Sequence, residues 1–221
     1  MIGGETMAMN QAARRVIAGS AMLAAALLLP ACGLLPKVQE PVALYTLTPK
    51  TTFEENVPKV DWQLVVEEPV AAAGLVTPRI ALQHSAYTLE YYAEAAWTDN
   101  APAMVQTLLI ESFEASKSIV AVGREAIGLR PDYILKTDLR EFEAIYDGDN
   151  PIPEVWVRIN AKLVRMPDRK IVTSETVSRR IPAASAKLED IIAAFDEALG
   201  KVLKDIVIFT LNAPAKLAPA G

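Results

Sequence analysis

Three consecutive stretches, Asp132 to Tyr146, Glu154 to Met166 and Ile171 to Ile181, alternate apolar and polar residues, and no other feature narrows the possible folds as far. The apolar set is Tyr133, Leu135, Leu139, Phe142 and Ile145 in the first, and Val155, Val157, Ile159, Ala161 and Leu163 in the second. The third carries Val172, Ser174, Thr176 and Ser178. Residues two apart share one face of a strand, so each stretch reads as a strand with one buried face. The links are short, and Pro167-Asp168-Arg169 makes a tight turn, so the three form an antiparallel meander. Polar alternates such as Lys136, Arg140 and Arg158 are expected to face solvent. Such a sheet needs a cover for its apolar face. Lys187 to Phe209 supplies a helix with Leu188, Ile191, Ile192, Phe195, Leu199, Val202, Leu203, Ile206 and Phe209 on one stripe. Glu189 and Asp190 suit its N-terminus, Ser185 is the expected cap, and Asn212-Ala-Pro214 should stop it, leaving 211–221 as a disordered tail.

The first half reads as shorter elements. Leu44 to Thr48 and Trp62 to Glu67 have strand character, and Ala71 to Val76 reads as a single helical turn. Arg79 to His84 and Tyr87 to Tyr92 flank Ser85-Ala86 as a hairpin. Asp99 or Asn100 can cap a helix whose first turn holds Pro102 and whose buried stripe is Met104, Leu108, Ile110 and Phe113 with Val105, Leu109 and Ser112, ending near Lys117. Ile119 to Gly123 is a short buried strand. The expected fold is α/β: a single domain over residues 44–210, with a mixed sheet containing a long antiparallel meander, packed against two main helices.

Cys32 is the only cysteine and closes an apolar run. Arg14 and Arg15 precede Val16 to Leu29, about 14 uncharged residues, which is a positive n-region followed by an h-region. A bilayer-spanning helix needs about 20 residues, so the run reads as a signal sequence. Leu29-Pro30-Ala31-Cys32 resembles the bacterial lipobox, in which the cysteine thiol is joined to diacylglycerol. Residues 1–31 are then a lipoprotein signal peptide, Cys32 the lipid attachment site and 32–43 a tether. Acyl chains such as palmitate contribute about 0.8 kcal/mol per buried CH₂, which makes a stable anchor. The chain is acidic, with a net charge of −5 and no Lys/Arg cluster. That argues against nucleic acid as a partner and leaves membrane contact to the anchor.

Leu44-Tyr-Thr-Leu47, Leu64-Val-Val-Glu-Glu-Pro69, Arg79-Ile80, Leu89-Glu-Tyr-Tyr92, Trp97 with Asp99, and Ala101-Pro-Ala-Met-Val-Gln106 together resemble the auxiliary lipoproteins of ABC-type transport systems. The resemblance is to systems of the MCE (mammalian cell entry) and paraquat-inducible types, and spans about 44 to 210. It implies a periplasmic domain on the outer membrane of a Gram-negative bacterium, moving phospholipid or a similar lipid. It also implies an MCE-domain substrate-binding protein as partner, with permease and ATPase on other chains. Gly33, where an aspartate would retain such a protein in the inner membrane, fits export to the outer membrane by the same analogy.

The sequence offers little for chemistry. His84 is the only histidine and has no cysteine or acidic neighbour at ligand spacing, so it reads as a structural strand residue and no metal centre is expected. Asp147-Gly-Asp149-Asn150 resembles the start of a calcium loop, but Pro151 and Pro153 follow, and a plain turn is the better reading. Paired acids at Glu67-Glu68 and Glu111/Glu114 read as solvated faces. Neither a glycine-rich phosphate loop nor a serine in a nucleophile elbow occurs, so the chain is read as a non-enzyme without cofactor. Tyr91, Tyr92 and Trp97 are the candidates for partner docking: neighbouring strand residues point to opposite faces, so the two tyrosines cannot both enter one core. A possible homo-oligomer is left open. The competing function is an outer-membrane lipoprotein that regulates an envelope enzyme such as a peptidoglycan synthase.

Overall fold

Tyr133–Ile145 is the strand from which the sheet branches. In the computed structural model, which describes residues 41–53, 57–125 and 130–216 (with side chains to 213), the chain from Pro41 onward is one unit. Its strands are β1 (Ala43–Tyr45), β2 (Val60–Val66), β3 (Val70–Ala71), β4 (Arg79–Ser85), β5 (Thr88–Trp97), β6 (Ile119–Gly123), β7 (Tyr133–Ile145), β8 (Glu154–Arg165) and β9 (Lys170–Pro182). The helices are α1 (Ala101–Ser116) and α2 (Leu188–Lys216).

One edge of β7 carries the expected meander, with β8 antiparallel to β7 and β9 antiparallel to β8. Its other edge is shared in parallel by three strands: β2 at Tyr133–Leu135, β3 at Asp138–Leu139 and β4 at Glu143–Ile145. Beyond β2 lies β6, and beyond β4 lie β5 and then β1. The mixed α/β sheet of the sequence reading is therefore present.

A bulge between Leu139 and Glu141 adds one residue to β7 and reverses its phase. Leu135, Thr137 and Leu139 face the core before it, Phe142 and Ala144 after it. Ile145, which alternation grouped with the core set, falls on the other face as a result.

Both helices cover the same face. α1 packs on β2 and β6, α2 on β8 and β9, and the helices touch each other. Phe195 of α2 meets Trp97 and Phe142 with ring centroids 5.2 Å away from each, and Trp97 and Phe142 lie 5.6 Å apart. These three rings tie β5, β7 and α2 into one core.

Local signals hold at most element ends. Asn100 takes the N-cap position of α1, but with no side-chain cap bond; Asp99 instead accepts the Asn100 N–H at 2.7 Å. Lys117 closes α1 in the left-handed conformation. Ser185 accepts the Lys187 N–H just ahead of α2, and its hydroxyl donates to Asp190. The helical turn expected over 71–76 is not formed: Ala71 belongs to the two-residue β3, and a plain turn follows in which the Leu75 N–H bonds the Ala72 carbonyl.

The end of α2 corrects the sequence reading, because the helix does not stop before Asn212. Leu211 and Ala213 are buried and extend the apolar stripe, and Asn212 Nδ2 bonds the Ile208 carbonyl at 2.8 Å within the helix. Cys32, the signal sequence and most of the tether lie outside the described residues.

Candidate functional site

The β4–β5 hairpin, which holds two of the three docking candidates near its middle, pairs Ala81 with Tyr91 and Leu82 with Glu90. Its register then slips between Ala81 and Arg79, because β5 takes additional residues between Tyr91 and Ala96. Tyr91 points to the face away from the helices. Its hydroxyl donates to the Gly74 carbonyl at 2.9 Å, and the Arg79 guanidinium lies 3.7 Å above its ring. A Cβ at Gly74 would come within 2.6 Å of Leu89 Cδ2, so the exposed Leu89 side chain would have to turn aside.

Tyr92 points to the helix-covered face, beyond the helices. Its Oη lies 2.9 Å from Tyr146 Oη, and Tyr146 stacks on His84 at 4.6 Å. His84 Nδ1 in turn sits 3.5 Å from Glu90. Burial, and then the Tyr146 hydroxyl, hold Tyr92 well above the usual phenol range. The alternation argument therefore holds for direction, but both tyrosines are half-buried and each spends its hydroxyl inside the chain.

Trp97 is a correction. It is 1% exposed, enclosed by Phe142 and Phe195, and offers no surface to a partner. The aromatic that does stand free on this hairpin is Tyr87, 97% exposed at its turn, where Ser85 and Thr88 hydroxyls bond at 2.9 Å.

The face away from the helices carries a second cluster, which alternation alone treated as solvated. Trp156 of β8 is flanked by two guanidinium groups, Arg158 at 4.9 Å and Arg180 at 4.0 Å from the ring centre, and its Nε1 donates to Ser178 at 2.9 Å. Arg158 pairs with Glu141. Glu143, two residues further, is 2% exposed. Its Oε2 accepts the Phe142 N–H at 2.8 Å, while Oε1 has no donor. Burial first, and the neighbouring Glu141 carboxyl second, push its pKa up to about 8. The only sequence signal was two acids two residues apart on one strand, which by themselves look like a wet face. Lys136 does behave as expected, reaching out to Glu67 at 2.7 Å.

Open clefts border these groups. One of about 340 Å³ is lined by His84, Tyr146, Asp147, Trp156 and Arg180. Among the described residues no three metal-ligating side chains converge, and no helix is long and apolar enough to cross a membrane.

A mixed sheet with two helices on one face makes this an open-sheet α/β domain. The chain belongs to the ABC-type transport auxiliary lipoprotein component family, whose model matches residues 45–207. The match runs from β1 into α2, so the family domain is the fold itself. The crystal structure of XCC0632 from Xanthomonas campestris, of family DUF330, is similar with 33% identity and a TM-score of 0.72, over 79% of this chain and 98% of that one. An uncharacterized protein of known structure shares the fold at a TM-score of 0.60 with 13% identity, over 76% of this chain and 97% of that one. An uncharacterized protein of Bradyrhizobium diazoefficiens is 30% identical over 155 residues, which is 68% of this chain and 40% of that protein. The chain thus spans well under half the length of that curated relative.

Proposed function

We propose that this domain is the non-enzymatic auxiliary component of an MCE-type ABC transport system, tethered through Cys32 to the periplasmic side of the outer membrane. There it helps to move phospholipid or a similar lipid across the envelope. The observation that carries the reading is the family match from Tyr45 to Val207, which starts at the last residue of β1 and takes in β2 to β9, all of α1 and most of α2. The motif resemblance of the leader to a lipobox supports the anchor. An MCE-domain substrate-binding protein is the direct partner, and the permease and ATPase are other chains.

Within this reading the β4–β5 hairpin is the docking element, through its tip. Tyr91 and Tyr92 brace the hairpin from its two faces, which leaves Tyr87 projecting. An exposed aromatic on a braced turn adds contact area at small entropic cost, as interface anchors do. The test is in vivo photo-crosslinking from position 87, followed by identification of the captured chain and copurification with Tyr87→Ala. Capture of an MCE-domain protein, with copurification weakened tenfold or more at unchanged melting temperature, is expected. Capture of a peptidoglycan synthase or another envelope enzyme in its place overturns the transport reading.

A further inference from the structure

We propose that Glu141, Glu143 and Arg158 form a proton-controlled latch on the face away from the helices. With Glu143 protonated, its neutral carboxyl sits beside Glu141 and Arg158 stays on Trp156; with Glu143 ionised, Arg158 swings off the indole to bridge both carboxylates.

The geometry comes from the β7–β8 ladder, which sets Glu141 opposite Arg158 and Glu143 opposite Trp156. Glu141 and Glu143 share a face because the bulge precedes them both. Arg158 therefore lies diagonal to Glu143, within reach of a long side chain. Two atoms in this cluster are buried without a partner: the acceptor Glu143 Oε1 and the donor Arg158 Nε. The present arrangement tolerates that mismatch only while Glu143 is neutral, because an uncompensated buried anion beside a second carboxylate is far more costly than a buried acid.

When the proton leaves to solvent, Glu143 becomes such an anion. The unused Nε–H of Arg158 is the donor that can meet it, and using it draws the guanidinium away from the ring that it now covers at 4.9 Å. Other charges facing the cluster do not compete for this role. On β9, Arg180 stacks on Trp156 at 4.0 Å and pairs with Glu154 of β8. On β4, Arg79 lies over Tyr91 of β5, whose hydroxyl is committed to Gly74. Arg140 on β7 pairs with Asp138. The consequence is a change in the exposed Trp156 face around neutral-to-alkaline pH, which is independent of the transport reading.

Tryptophan emission of the purified full chain, titrated across pH, tests the latch. The wild type should show a one-proton shift in emission with its midpoint about 8. The shift should vanish in Glu143→Gln, which cannot ionise, and in Trp156→Phe, which keeps Trp62 and Trp97 as unaffected reporters. Flat wild-type emission, or a step that survives in either variant, overturns the proposal. Should Glu143→Gln fail to fold, infrared difference spectra of the wild type decide. A protonated-carboxyl band present at neutral pH and lost above the step supports the latch, and its absence overturns it.

Discussion

Thr48 and Asp196 join the segment after β1 to the middle of α2: the Thr48 backbone N–H donates to Oδ1 at 2.6 Å and its hydroxyl lies 2.9 Å from Oδ2. Two residues later the Lys50 N–H bonds the Ser112 hydroxyl of α1 at 2.9 Å, so this short stretch is pinned to both helices. Replacing Asp196 by Ala should cost about 1 kcal/mol, since the bonds are charge-assisted but exposed. Limited proteolysis of the variant should show faster cleavage between 46 and 53, with little change elsewhere.

Trp97 sits at the junction of β5, β7 and α2, so Trp97→Ala should destabilise by about 3–5 kcal/mol. Its buried Nε1 has no acceptor. Trp97→Phe therefore removes an unpaired donor together with some volume, and should cost well under half as much as the alanine variant. Urea unfolding of the two variants measures the ratio.

Glu143 gives a pH dependence of definite sign. Its folded pKa of about 8 lies above the ordinary 4.5, so folding takes up a proton between those values. The stability associated with it is complete below pH 4.5 and is progressively lost as pH rises toward 8. The stability difference between Glu143→Gln and wild type should therefore grow in favour of the variant across this window and level off above it. Denaturation midpoints of both proteins along a pH series check this.

Lys117 holds a φ of 52° at the end of α1, a conformation that a glycine adopts without strain. Lys117→Gly should stabilise the domain by about 0.5–1 kcal/mol, the part of the left-handed penalty left after glycine's greater unfolded-state entropy. Thermal unfolding should show a rise of a few degrees.

Cys32→Ser tests the anchor. Palmitate label should be lost and the protein should remain an uncleaved precursor on fractionation; label retained by the variant would remove the lipobox reading.

Local sequence carried the elements because their signals are short-range. Alternation along 154–165 reports which side of one strand is wet, and the period through Met104, Leu108 and Leu109 reports one helix face; each depends on neighbours a few residues away. The hairpin, both helices and the meander were legible for that reason. Tertiary structure alone decided how β2, β3 and β4 divide one edge of β7, since parallel pairing depends on which distant strand offers a free edge, and no local pattern encodes it. It also decided that the bulge after Leu139 reverses the phase, which turned Ile145 outward and Phe142 inward. Trp97 looked like a surface candidate until Phe195, nearly a hundred residues away, closed over it. Nothing local marks Glu143: strands from both sides of β7 enclose it, and only burial could turn an ordinary glutamate into a group that keeps its proton at neutral pH.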